Sequence, residues 1–250
     1  MRSEMQIDRE RFLRACKSSS FEAQGKIGEL KEKSLHRALK HYFEPDPLYH
    51  EISFCGSVAD IKNDEGVIEI QTRSFDKLVP KLERFLPETS VTIVYPIVER
   101  KTVSKVNVIS GEGSSPRRSP KRGRSSDALA EIAKIRNYIP DERIKIVLVF
   151  LDAIDLRLEG GSVAVGRKRT TKIDTIPTSL NSIIVLREAD DYRLLLPPGL
   201  SDEFTAAEFE KISRLHKINL HNSLMLLLRL GILQREKQGR RYIYSIQPKV

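Results

Sequence analysis

Cysteine is nearly absent from this 250-residue chain: Cys16 and Cys55 are the only two. That excludes a disulfide framework and a cysteine-rich zinc site. No apolar run approaches the roughly 20 residues that a membrane span needs. Residues Met1 to Gln6 are charged and lack the apolar core of a secretory signal. The expectation is a cytoplasmic, nucleoid-associated protein with no membrane partner. Histidine is sparse, five in all. His36 and His41 lie on one predicted helix without metal-ligand spacing against a carboxylate pair, so they read as surface or packing residues. Gly160-Gly161 and Gly111-Glu-Gly113 do not stand between a strand and a helix, so no phosphate-binding loop is supported. No Ser/His/Asp set can be picked out.

What the chain has in excess is positive charge. The 43 Lys and Arg against 34 Asp and Glu leave +9. This balance favours a polyanionic partner, because basic groups that replace the counterions of a phosphate backbone gain free energy. The alternative is a basic protein with no such partner. The length suffices for one large core or two unequal ones.

Along the chain, residues 1–20 form a charged lead-in. A helical stripe then runs from Glu22 to Phe43 through Ile27, Leu30, Leu35, Ala38, Leu39 and Tyr42, and Pro45 and Pro47 end it. Leu48 to Cys55 reads as a strand. A helix through Leu78, Leu82, Phe85 and Leu86 precedes a buried strand at Val91–Tyr95, the pattern of a crossover in an α/β sheet. Lys101 to Ile109 reads as a further edge strand. Gly111 to Ser126 is rich in Ser, Pro and Gly and carries Arg117, Arg118, Lys121, Arg122 and Arg124. It reads either as a mobile basic loop on a nucleic-acid backbone or as a solvated loop. A helix from Asp127 to Tyr138 and a buried strand at Ile144–Leu151 follow. Residues 155–186 suggest only short strands and turns.

The last sixty residues change character. Thr205 and Glu208 form a capping box opening one helix. A second, leucine-rich helix ends at Gly231, and a basic hairpin turns at Gln238-Gly239. This order resembles a winged helix-turn-helix. The resemblance implies DNA contact through His221, Asn222, Ser223 and Arg229 on the second helix and through Lys237, Arg240 and Arg241 on the wing. Such units also serve as protein–protein modules. The division expected is 1–190 and 191–250.

The stretch from Val58 to Gln71 carries the chemistry. It reads as two short strands joined by a polar turn at Lys62–Gly66. In the second strand Glu69 and Gln71 share one face, while Ile68 and Ile70 face the other way. The hairpin can bring Asp60 beside Glu69. Two adjacent carboxylates repel unless a cation lies between them. A hard divalent ion such as Mg²⁺ (or Mn²⁺) needs only a few protein oxygens, here Asp60, Glu69 and the carbonyl of Ile70. The bland reading is a hairpin with solvated acids.

Together these pieces resemble the PD-(D/E)XK nuclease superfamily. Gly28-Glu29 stands on a first helix, Asp60 on the second strand and Glu69-Ile70-Gln71 on the third, followed by a helix and a buried strand. The resemblance covers about residues 20–98. It implies an α/β fold, a restriction-endonuclease-like mixed sheet flanked by helices, with a small C-terminal winged helix. It also implies Glu29, Asp60 and Glu69 as metal ligands and Gln71 in the place of the usual lysine. Gln carries no charge, so Arg73, two residues on, or Lys62 in the hairpin is a candidate to supply it. The function implied is a metal-dependent endonuclease acting on double-stranded or branched DNA, with a homodimer for cutting both strands. The rivals are a DNA-binding regulator whose core has decayed at Gln71 and a protein-binding adaptor.

Overall fold

The computed structural model of the chain describes residues 7–21, 33–107, 113–159 and 170–249. Seven strands form one sheet: β1 (His50–Phe54), β2 (Ser57–Asn63), β3 (Gly66–Ile70), β4 (Val91–Asn107), β5 (Arg117–Arg118), β6 (Ile144–Glu159) and β7 (Thr170–Leu186). Their order is β1-β2-β3-β4-β6-β7, with β5 pairing β4. The first three make an antiparallel meander, β3, β4 and β6 run parallel, and β7 returns antiparallel. Helices α1 (Arg9–Phe21) and α2 (Ser34–Phe43) cover one face, and α3 (Val79–Phe85) and α4 (Ser125–Ile132) the other. The α/β class with a large mixed sheet flanked by helices is therefore as the sequence predicts.

Alternation along β6 explains why this strand is apolar throughout. Val147, Val149 and Leu151 pack under α1 and α2, while Ile146, Leu148 and Phe150 enter the opposite core. A strand covered on both faces has no polar positions to offer. On α2, Leu35, Ala38, Leu39 and Tyr42 recur at helical spacing and are buried against Ile61, Ile70 and Val94. Gly66 lets β3 start tight against β4: its φ is +128°, and a Cβ there would stand 2.5 Å from the Ser90 carbonyl oxygen.

Four expectations about elements change. The helix expected over 22–43 begins at Ser34, because Lys33 before it is extended (φ −79°, ψ 148°); residues 22–32, with Glu29, lie outside the described residues. Val91 to Asn107 is one 17-residue strand with a bulge between Val98 and Arg100, and β6 pairs along it, so Lys101–Asn107 is no separate strand. Residues 155–159 and 170–186 belong to the long β6–β7 ribbon rather than to short strands. The basic stretch is annealed to β4: Ser114, Ser119 and Gly123 donate backbone hydrogen bonds to the carbonyls of Lys105, Lys101 and Val98. Backbone pairing of this kind leaves no trace in composition, which is why the stretch reads as a loop.

The C-terminal unit comprises β8 (Glu203–Thr205), α5 (Ala206–Ser213), α6 (Lys217–Arg229), β9 (Leu233–Gln238) and β10 (Arg241–Ile246), with the sheet order β8-β10-β9. The predicted capping box is present: the Glu208 amide donates to Thr205 Oγ1 and the Thr205 amide to Glu208 Oε2. Phe209, Leu224, Leu226 and Leu227 share one apolar cluster with Ile132 and Ile135 of the larger unit. Among the described residues no helix is long and apolar enough to cross a membrane.

Candidate active site

The β2–β3 ladder pairs Asn63 with Gly66, Lys62 with Val67 and Ile61 with Ile68, and then stops. The next residues in that register are Asp60 and Glu69, and here carboxylates take over hydrogen bonds that carbonyls make in a ladder. The Asp60 amide donates to Glu69 Oε1 at 3.3 Å, and the Ile70 amide donates to Asp60 Oδ2 at 2.7 Å. The sequence-predicted pair is thus brought together, at the point where the strands part.

Its surroundings are unequal. Glu69 is 3% exposed and its Oε2 accepts from Lys81 Nζ of α3 at 2.7 Å. Burial and then the Asp60 charge push the Glu69 carboxyl up to about 7, with Lys81 pulling against both. Burial acts to raise Asp60 as well. There the His36 imidazole, with Nε2 3.2 Å from Asp60 Oδ2, the Ile70 amide and Lys81 outweigh it, so the Asp60 carboxyl lies below its ordinary range. One acid of the pair thus takes up a proton far more readily than the other.

Beside the pair opens a cleft of about 560 Å³, lined by Lys33, His36, Lys40, Glu51, Asp60, Thr72 and Arg73. Lys40 Nζ lies 2.6 Å from Glu51 Oε1. β3 ends at Ile70, so Arg73 sits on a bend rather than on the Glu69 strand face, yet it reaches the cleft wall. Gln71 turns its carboxamide inward to donate to the Ser74 carbonyl at 2.6 Å. Lys62 donates to the Asn63 carbonyl and lies over the Phe54 ring, which takes it out of contention. Glu29 lies outside the described residues.

Sequence reasoning missed His36 and Lys81. His36 stands one residue from Leu35 on the buried stripe of α2, and Lys81 in the first turn of α3. Each carries a polar group to the carboxylates from a helix packed on the sheet, one from either side. No motif marks such residues, since only the sheet's layering brings them in.

Among the described residues no group of three or more His, Cys, Asp or Glu side chains is placed to hold a metal ion. The donor set is the two carboxylates, and that suits Mg²⁺, which retains most of its water and binds through one or two protein oxygens.

The residues predicted to touch DNA scatter over other surfaces. Arg117 and Arg118 are exposed on β5, and Lys121 and Arg122 line a second cleft beyond the end of β3. Lys237, Arg240 and Arg241 are exposed on the β9–β10 hairpin, and His221 on α6. Asn222 is half-buried. Arg229 is exposed and donates to Asn137 of the larger unit at 3.0 Å. Ser223 is fully buried and offers no surface to a partner.

The chain belongs to the family described as a domain of unknown function (DUF8091), matched over residues 33–187. That span holds α2, the carboxylate pair and the basic stretch on β4. An uncharacterized protein of Treponema pallidum (strain Nichols) is 26% identical over 227 residues, covering 89% of this chain and 88% of the relative. No solved structure matches.

Proposed function

We propose that this DUF8091 protein is a metal-dependent nuclease of the PD-(D/E)XK kind, acting on DNA. The observation that carries the reading is the meeting of Asp60 and Glu69 where β2 and β3 part, beside a cleft walled by Lys33, His36 and Arg73. The element order supports it: a helix, a three-stranded meander, a helix, and then a strand parallel to the third.

A bound Mg²⁺ or Mn²⁺ would supply a water that ionises near neutral pH and a charge to offset the phosphorane. Asp60 and Glu69, with the Ile70 carbonyl, are the groups that would hold it. Arg73 on the cleft wall binds the phosphate and orients the scissile bond, while Lys33, whose Nζ donates to the Ile173 carbonyl at 2.6 Å, adds positive charge to that wall. His36 holds Asp60 ionised. Lys81 supplies, from α3, the positive charge that Gln71 lacks, and steadies the Glu69 carboxylate. In the C-terminal unit the order of β8, α5, α6 and the β9–β10 hairpin supports a winged helix, whose exposed Lys237, Arg240 and Arg241 would rest on the duplex backbone. Cutting both strands calls for two sites and hence a homodimer.

Purified protein with Mg²⁺ or Mn²⁺ should nick or linearise plasmid. Asp60→Asn and Glu69→Gln should each abolish this, at about 10²-fold or more, since the reading places both at the reacting centre. Lys81→Met should lower the rate by about 10-fold or more and Gln71→Ala by far less, because the charge sits on Lys81. Cleavage that survives both carboxylate changes belongs to a contaminant and removes the reading. A second reading, a non-catalytic DNA-binding regulator, is favoured by the internal bond of Gln71 and the Lys81 pairing of Glu69. Salt-sensitive duplex binding with no cleavage by either metal would select it.

A further inference from the structure

The second cleft, of about 750 Å³, lies where β4 continues past the strand it shares with β3. It is walled by Tyr95–Val98 and Lys101, by Pro120–Arg124, by Asp127, and by Ser213 and Arg214 at the end of α5. Three segments remote in sequence thus converge on it, and the cationic ones are held in place. The Gly123 amide donates to the Val98 carbonyl at 2.9 Å, which fixes the basic segment on β4. A Cβ at Gly123 would stand 2.6 Å from that oxygen, so only glycine allows this approach. Arg214 caps α5 in the left-handed conformation, φ 61° and ψ 21°, where glycine or asparagine is the usual choice.

The charge in this cleft is not balanced from within. The side chains of Lys121, Arg122, Arg124 and Arg214 are exposed, and none makes an ion pair or hydrogen bond among the described residues. Lys101 differs, reaching the buried Asp155 at 3.3 Å. The one acid on the wall, Asp127, already accepts the Arg124 amide at 2.9 Å. Four cations against the single carboxylate of Asp127 leave an excess of like charge on the described wall, and a polyanion would relieve the repulsion.

We infer that this cleft between β4 and the end of α5 is a phosphodiester-backbone site, holding nucleic acid through Lys121, Arg122, Arg124 and Arg214. It rests on the nucleic-acid reading above for the identity of the polyanion, but not on cleavage. It gives the substrate a contact on the larger unit separate from the wing, and Arg214 joins it to the C-terminal unit.

The test is binding of a labelled single-stranded oligonucleotide and of its duplex, in EDTA so that nothing is cut, across a salt series. The variants are Arg122→Gln with Arg124→Gln and Arg214→Asn, beside Arg240→Ala with Arg241→Ala. The cleft variant should bind about tenfold or more weakly, and its slope of log affinity against log salt should fall by about 2–3, at roughly 0.7–0.9 per lost phosphate contact. Loss on one substrate alone assigns the cleft to that form, and loss on both to backbone in general. Affinity and slope within about twofold of wild type, while the wing variant loses both, would overturn the cleft and leave the nucleic-acid reading standing. A wild-type protein that binds neither oligonucleotide overturns both. Binding as expected without cleavage under Mg²⁺ removes only the nuclease. Should the triple variant unfold early, Arg122→Glu, at one exposed tip, should weaken binding and lower the slope by at least the roughly 0.7–0.9 of one contact, and unchanged affinity and slope there overturn the cleft.

Discussion

Asp155 stands in the middle of β6 with 1% of its surface exposed, a carboxylate inside a sheet. Thr175 Oγ1 donates to its Oδ1 at 3.1 Å, and Lys172 and Lys101 approach at 3.0 and 3.3 Å. Burial alone would raise its pKa. The hydrogen bond and charge of Lys172 and the charge of Lys101 more than offset that, so the carboxyl lies below its ordinary range. A folded-state pKa below the unfolded one contributes stability that is present above the unfolded value and lost as pH falls through the folded one. Asp155→Asn should therefore flatten the acid limb of the stability profile. It should also cost about 2–3 kcal/mol near neutral pH, less than the roughly 3–5 of a wholly buried pair, because Lys172 and Lys101 keep access to water. Urea unfolding across the acid range would check it; identical acid limbs in the two proteins would refute the assignment. A buried aspartate in a long strand also explains a failure of sequence reading. Asp155 and Arg157 take the phase that Leu151 and Ala153 bury while Leu156 and Leu158 take the other, so the apolar phase shifts by one residue and the strand does not read as continuous with its apolar half.

At the scale of elements, the annealing of residues 113–123 to β4 hangs on Gly123. In Gly123→Ala the new methyl meets the Val98 oxygen and Ile97 Cγ2, at 2.6 and 2.7 Å, and the oxygen is backbone that cannot swing away. Overpacking of this kind costs about 1–3 kcal/mol. Hydrogen exchange should quicken at the amides of Ser114 and Ser119, which bond to the same strand. Unchanged protection at both would show that the segment holds to β4 without this contact. What the sequence disclosed of the elements follows the same division between local and remote causes. α2 from Ser34, the β2–β3 hairpin, α3, the first half of β6 (Ile144–Leu151) and the capped α5 were legible because periodicity, turn residues and caps are local signals. The candidate site was legible as far as Asp60 and Glu69, which one hairpin joins. His36, Lys81 and the cationic cleft were not, because the contacts that make them are set by the layering of helices on the sheet and by β4 outrunning β3.

For the whole molecule, the question is whether the C-terminal unit is a separable module, as a winged helix on a linker would be. The packing argues against separability. Leu224, Leu226 and Leu227 of α6 share one apolar cluster with Ile132, which ends α4, and Ile135 in the turn after it. Arg229 donates to Asn137 across the same seam, and Arg193, which precedes the segment 201–250, donates to the carbonyls of Gln247 and Pro248 at 2.6 and 2.9 Å. Removing residues 201–250 would expose those isoleucines, at about 1.5–3 kcal/mol for each large side chain uncovered, a substantial share of the roughly 5–15 kcal/mol that holds a domain folded. The full chain should therefore unfold in a single calorimetric transition. Residues 1–200 alone should melt well below it or precipitate. Two resolved transitions, with the shortened chain keeping the upper one, would show the units to be independent. A single transition would bear on the proposed substrate as well. On the nucleic-acid reading proposed above, the Asp60–Glu69 pair, the cationic cleft and the β9–β10 hairpin would share one core, and a nucleic acid touching all three would bend to the protein rather than the protein to it.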